Sequence, residues 1–250
     1  MELDMDTTLY VALSHQTAMR RSLDLIANNI ANMNTTAFRR EQVMFKDYVV
    51  GLDRLDNDDL KDVSFVQDYG VARDYRQGKM IPTGNPLDIA ISGRGFLEVA
   101  DPETGNVNYT RNGSLKISDQ GFLATNTGQN VRSVGGGTID IPANVSIIDI
   151  AADGTVSTSE GIAGQIALVD FENEQLLEKI GDTLFRSEAE PIGPADAKFV
   201  SGMIEGSNVQ PLVEMTNMMK VMRSYQSVNK LTEKYQDMRV ESLRSLGRVQ

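Results

Sequence analysis

The chain has 250 residues, enough for one substantial core or two smaller ones. Its formal net charge of -11 argues against a nucleic-acid partner, because such proteins set a basic surface against phosphates. It contains no cysteine, which removes disulfides, thiolate nucleophiles and Cys-based metal sites, and no apolar run approaches the length needed to span a membrane.

The charge is unevenly spread. Arg20, Arg21, Arg39, Arg40 and Lys46 make the early chain basic, and Asp53, Asp56, Asp58, Asp59 and Asp62 follow almost at once. Such asymmetry suits complementary contacts between copies, and equally describes a solvated surface. Met1 to Thr8 is acidic and lacks the basic-then-apolar order of a secretory signal. Work outside the cytoplasm would then require export without such a signal.

The first periodic segment runs from about Thr7 to Asn32. Ala12, Met19, Leu23, Ile26, Ile30 and Met33 recur at steps of four and three, with Gln16 filling one step, and Leu9 and Leu13 widen the stripe. This spacing predicts one face of an amphipathic helix. Asp6, Thr7 and Thr8 are expected N-caps, and Asn32, Asn34, Thr35 and Thr36 are expected to end the helix through side-chain-to-backbone bonds.

The middle of the chain reads as β-structure. Leu87 to Ile91 alternates, Gly93 and Gly95 punctuate it, and Phe96 to Val99 resumes the pattern. Asp101 to Asn106 resembles a hairpin connection, and Leu115 to Ile117, Phe122-Leu123, Ile139 to Ile141, Val145 to Ile150 and Gln165 to Phe171 continue the series. Many short strands between glycine turns argue for an antiparallel, barrel-like domain. Residues 37–80 are expected as an extended connection with a strand near Val63 to Val66, and 181–210 as its returning partner.

The last segment, from about Pro211 to Leu246, mirrors the first. Met215, Met219, Met222, Tyr225, Val228, Leu231, Tyr235 and Met238 recur at steps of three and four, and Gly247 is a natural stop. Five of the 12 methionines fall here: Met215, Met218, Met219, Met222 and Met238. Methionine tolerates irregular packing, which suits a helix with several different neighbours and equally suits an ordinary intramolecular core. The expected fold is therefore α+β, a mainly-β central domain flanked by N- and C-terminal amphipathic helices that pack together. Its expected regions are 1–36, 37–80, 81–180, 181–210 and 211–250.

Catalytic chemistry has little support. His15 is the only histidine, and it lies within a predicted helix, more often a surface or packing position than a catalytic one. No G-x-S-x-G turn marks a nucleophile, Asp149, Asp153 and Glu160 do not follow a calcium-loop pattern, and Gly135 to Gly137 lacks the lysine of a phosphate loop. No enzyme activity, cofactor or metal is expected. An enzyme or cell-wall-directed module would need clustered acids in a cleft, with Glu98 or Asp101 as the candidates. A soluble adaptor would instead fold both helices onto its own β domain.

Leu25-Ile26-Ala27-Asn28-Asn29-Ile30-Ala31-Asn32-Met33-Asn34-Thr35-Thr36-Ala37-Phe38-Arg39 closely resembles the N-terminal signature of flagellar rod and hook axial proteins. Thr83 to Ile91 with Gly93, Gly95 and Phe96 resembles a second segment of that family, and Tyr109 to Gly113 with Gly121 continues it. Glu205-Gly206-Ser207-Asn208-Val209 and the following helix resemble its C-terminal signature. The opening Leu9 to Ser14 and the short length look most like the proximal rod branch, with distal rod and hook-type proteins as alternatives. Ala37 stands where many relatives carry glycine, which weakens any claim of an unusual backbone angle there.

The resemblance implies a structural subunit with copies of itself and other flagellar rod proteins as partners. It implies passage through the flagellar export apparatus without a cleaved signal, and assembly into a periplasmic tube that transmits torque. The terminal helices would form the wall around the export channel, with the β domain outside. Ala12, Met19, Leu23, Ile26, Ile30, Met215, Met219, Met222, Tyr225, Val228, Leu231 and Tyr235 are the expected packing residues.

Overall fold

Steps of three and four keep a residue set on one side of an α-helix, and the N-terminal segment adopts that form. The computed structural model describes residues 2–50, 63–143, 145, 147–181, 183–194 and 196–246. Helix α1 spans Glu2–Ala31, so Asp6, Thr7 and Thr8 lie inside it and do not cap it, a correction to the expected start. At its end the Thr35 N–H donates to Asn32 O at 3.2 Å and the Thr35 hydroxyl donates to Asn32 Oδ1 at 3.0 Å. These local bonds replace another helical turn.

Helix α2 spans Pro211–Leu246. Pro211 opens it, where a missing N–H has no helical partner to lose, and the Glu214 N–H donates to Gln210 O at 3.0 Å. The Asp-rich stretch from Asp53 to Asp62 and the expected Gly247 stop lie outside the described residues.

The chain forms two units. The first comprises Met1–Ala31, Glu41–Ala72 and Gln210–Gln250. Within it α1 packs against α2 and against the strand Glu41–Val50, which pairs with Val63–Arg73 in a two-stranded ribbon.

The second unit comprises Asn32–Arg40 and Arg73–Val209. All of its strand pairs are antiparallel. The largest sheet follows the order Glu178–Lys179, Leu184–Arg186, Val107–Thr110, Phe96–Ala100, Asn130–Val131, Leu123–Thr125 and Leu115–Ile117. Leu168–Asp170 joins it through Phe96–Ala100. Ile148–Ile150, Thr155–Thr158 and Gly161–Gln165 form a separate three-stranded sheet. Ile139 and Ile141 are buried as a strand would bury them, yet only an isolated bridge between Asp140 and Phe122 forms there.

Alternation along these strands turns one row inward. Ile89, Ile91, Leu97, Val99, Leu123, Ile166 and Phe199 make one apolar cluster, and Phe96, Tyr109, Phe171 and Phe185 make a second. The rings of the second meet edge-on, as between Tyr109 and Phe171 with centroids 4.8 Å apart, the geometry that aromatic quadrupoles favour. Gly113 has to be glycine for space: a Cβ there would stand 1.8 Å from Ile89 O, whose residue donates its N–H to Gly113 O at 2.8 Å. The whole is an α+β fold, a central β-sheet region flanked in sequence by terminal helices that pack together.

Candidate functional site

The two helices run antiparallel. Near one end of the pair the Asn29 amide reaches Glu214, and in the middle Gln16 Nε2 donates to Asn229 Oδ1 at 2.9 Å. Further along, Leu9 and Ala12 border a small cleft with Leu231, Tyr235 and Arg239. Ala12, Met19, Leu23, Ile26 and Ile30 are each half-buried, as residues sharing one helix face would be. A different side of α1, carrying the buried Ala18 and Leu25, is more deeply covered. Tyr10, Leu13 and Ala18 line a groove with Phe65 and Val66 of the ribbon.

The residues of α2 do not share one face. From Met219 to Leu231 each step is three, and a step of three falls about 60° short of a full turn. The run therefore winds across the helix. Met215, Met219, Met222 and Leu231 are exposed, whereas Tyr225, Val228 and Tyr235 are half-buried. The helix pair thus covers only part of its own apolar surface.

The asparagine-rich signature divides just as clearly. Asn29 is fully buried, and its Nδ2 donates to Glu41 O at 2.8 Å while its Oδ1 accepts the Glu41 N–H at 3.0 Å. A longer contact of 3.4 Å joins Nδ2 to Glu214 Oε2, so one side chain fastens α1 to the ribbon and to the first turn of α2. Ala27, Asn28, Ala31 and Asn34 are exposed, and Ile30, Asn32, Thr35 and Thr36 are half-buried. Phe38 is buried, with Lys179 Nζ 4.7 Å from its ring centroid.

Ala37 adopts an unusual backbone angle that alanine gave little reason to claim: its φ is +59°, the one left-handed non-glycine residue among those described. The position is held from outside, because the Ala37 N–H donates to Glu205 O at 2.7 Å and its methyl is buried. Three distant family segments meet around that same Glu205. Arg39 Nη2 lies 2.7 Å from Oε1, Arg111 Nε lies 3.0 Å from Oε2, and the Gly78 N–H donates to Oε1 at 2.8 Å. Arg111 also donates to Gly95 O at 2.6 Å and to Gly93 O at 2.9 Å, which shows what the two glycine carbonyls of the second segment hold. Burial pushes the Arg39 guanidinium below its ordinary value, with Glu205 opposing that shift and Arg111 adding to it.

Asn208 completes the junction. Its Oδ1 accepts the Arg40 N–H at 2.7 Å, and its Nδ2 donates to Asp74 O and Arg76 O at 2.6 and 2.9 Å. Sequence reasoning quoted Arg39, Arg111 and Glu205 within signatures without seeing that they touch. Their presence inside otherwise apolar or glycine-rich motifs was the available signal.

His15 lies on the exposed side of α1. Glu98 pairs with Arg132 at 2.9 Å, and Asp101 Oδ1 accepts the N–H groups of Glu103 and Thr104, so neither acid waits in a cleft. Among the described residues no group of three or more His, Cys, Asp or Glu side chains could hold a metal ion, and no described helix is long and apolar enough to cross a membrane.

A braced β unit and a pair of terminal helices with apolar surface left over define a structural subunit of an axial assembly. Residues 9–39 match the family described as flagella basal body rod protein, 90–158 the flagellar hook protein FlgE/F/G D1 domain, and 200–244 the flagellar basal body rod FlgEFG protein C-terminal region. The chain is 38% identical to the flagellar basal-body rod protein FlgF of Caulobacter vibrioides, over 98% of this chain and 100% of that one. It is 32% identical to FlgF of Mesorhizobium japonicum, over 97% and 99% of the two chains, and 32% identical to FlgG of Bacillus subtilis, over 90% and 93%. The chain belongs to the flagellar basal-body rod protein family of FlgF and FlgG. It is a structural axial subunit of the flagellar basal-body rod, an extracytoplasmic component by family.

Proposed function

We propose that this subunit joins copies of itself and other rod proteins through its paired terminal helices. The rod so formed stands in the periplasm, carries motor torque toward the hook and encloses the export path. The observation that carries this reading is a contrast within the molecule. The β unit closes two buried apolar clusters, with Val134, Ile147, Ile162, Leu176 and Ile192 left at its surface, whereas among the described residues the helix pair closes no such cluster and leaves Tyr10, Leu13, Met215, Met219 and Leu231 exposed. Apolar surface of that extent on two adjacent helices calls for neighbours.

Ala12, Met19, Leu23, Ile26 and Ile30 hold α1 to α2, and Met215, Met219, Met222 and Leu231 face the next subunits. Tyr225, Val228 and Tyr235 bridge the two roles. Delivery is by the flagellar export apparatus, the route that the family resemblance implies. Within the rod the proximal segment fits the opening Leu9 to Ser14 and the short chain.

Electron microscopy of basal bodies from a deletion strain, with complementation as control, tests the reading. A rod lost or truncated near the membrane ring is the expected result. A complete rod carrying a normal hook would overturn it.

A further inference from the structure

The methionines differ sharply in exposure. Met19, Met33, Met80, Met203 and Met218 are half-buried, while Met215, Met219 and Met222 are 48%, 54% and 43% exposed; Met44 and Met238, at 40% and 56%, are exposed too but stand apart from this group. These three follow one another at steps of four and three, so they form a thioether flank along the first half of α2, which the 78%-exposed Leu212 extends. Glu214, Val221 and Tyr225 lie on the more covered sides of the helix. The flank is about half exposed and so open to small solutes.

We propose that Met215, Met219 and Met222 form an oxidation-sensitive site that decides whether a free subunit can enter the rod. The reactant is a hydroperoxide. The sulfur lone pair attacks its terminal oxygen, the O–O bond breaks and an S–O bond forms. Sulfur loses two electrons, the peroxide is reduced to an alcohol or water, and its hydroxyl proton passes to the leaving oxygen. Each thioether becomes a sulfoxide, a polar acceptor in place of an apolar, pliable side chain. The helix pair survives, because its cross-helix hydrogen bonds run from Gln16 to Asn229 and from Asn29 to Glu214 and not through these methionines. Packing against a neighbour does not, because a buried sulfoxide needs a hydrogen-bond partner that an apolar surface lacks. Subunits already in place are shielded.

This inference rests on the reading that the α2 flank is covered on assembly, and the experiment separates the two. Cells carrying the full-length protein are grown with and without sublethal hydrogen peroxide. Subunit in purified basal bodies and in the unincorporated pool is then quantified and mapped by peptide mass spectrometry. The expected result is reduced methionine at 215, 219 and 222 in rods, sulfoxide at those positions in the unincorporated pool, and a several-fold fall in incorporation under peroxide. The M215L/M219L/M222L variant should incorporate equally in both conditions, and a variant with glutamine at all three positions should incorporate poorly without peroxide. Equal sulfoxide in rods and in the pool, or a peroxide-induced loss that the leucine variant shares, would overturn the proposal. Absence of the untreated wild-type chain from rods would instead sink the reading beneath it.

Discussion

Glu205 and Arg39 stand 166 positions apart in the chain and meet as a 2.7 Å ion pair whose side chains are 0% and 1% exposed. Arg111 holds the other carboxylate oxygen, so Glu205 serves two guanidinium groups at once. Removing it strands two buried cations, and breaking such a pair from one side costs about 3–5 kcal/mol. Glu205→Ala should lower the unfolding free energy by that order in urea titrations. Arg132→Ala, which breaks the more solvated pair with Glu98, should cost about 1 kcal/mol. Equal losses would show that the triad carries no special weight.

Asn29 offers a second contrast within one motif. Asn29→Ala leaves the buried N–H and C=O of Glu41 without their partner, and each orphaned group costs about 1–3 kcal/mol. A total loss of about 2–5 kcal/mol is expected, with earlier hydrogen exchange in the helix–ribbon unit. Asn34→Ala, at an exposed position, should stay within about 0.5 kcal/mol.

At Ala37 two effects oppose each other. Glycine would relieve the left-handed backbone, worth about 1 kcal/mol, but would loosen the unfolded chain and remove a buried methyl of similar worth. Ala37→Gly should therefore change the melting free energy by less than about 1 kcal/mol. Ala37→Val adds β-branching to the same backbone and should cost about 2 kcal/mol or more. A tolerated valine would mean that the segment can flatten.

The loop carboxylates set part of the acid limb of stability. Backbone N–H groups of Thr104 and Glu103 hold Asp101 below its ordinary range, and the Thr155 N–H and hydroxyl do the same for Asp153. A carboxyl depressed in the folded state stabilises fully above its unfolded value, about 3.9, and loses that contribution as pH falls through the folded value. The D101N/D153N variant should be less stable than wild type at pH 7. That gap should narrow below about pH 4 in thermal melts; a gap independent of pH would contradict the assignment.

Much of this architecture was legible because local pattern and tertiary demand agree. The α1 residues from Ala12 to Ile30 keep one face by spacing alone, and Phe96 to Val99 alternates as a strand must. The misses have physical causes. Spacing on α2 looked like a stripe, but four steps of three wind around the helix, and only coordinates show which residues end up covered. Ala37 adopts a left-handed angle that its own preference opposes, because Glu205 O takes its N–H. The triad was hidden for a deeper reason: charged side chains are ordinarily exposed, and the burial of Arg39, Arg111 and Glu205 together is decided by contacts across most of the chain.

Those long-range contacts also impose a schedule. Met80–Pro82 pairs with Met203–Glu205, and Ile89–Ser92 pairs with Lys198–Ser201. A chain that emerges first residue first shows Arg39 and Arg111 long before their shared acid arrives, and two strands wait with unpaired edges until the same stretch follows. Closing so wide a loop is slow, and like charges resist it meanwhile. The β unit therefore cannot shut until the stretch from Lys198 to Glu205 is present to close it.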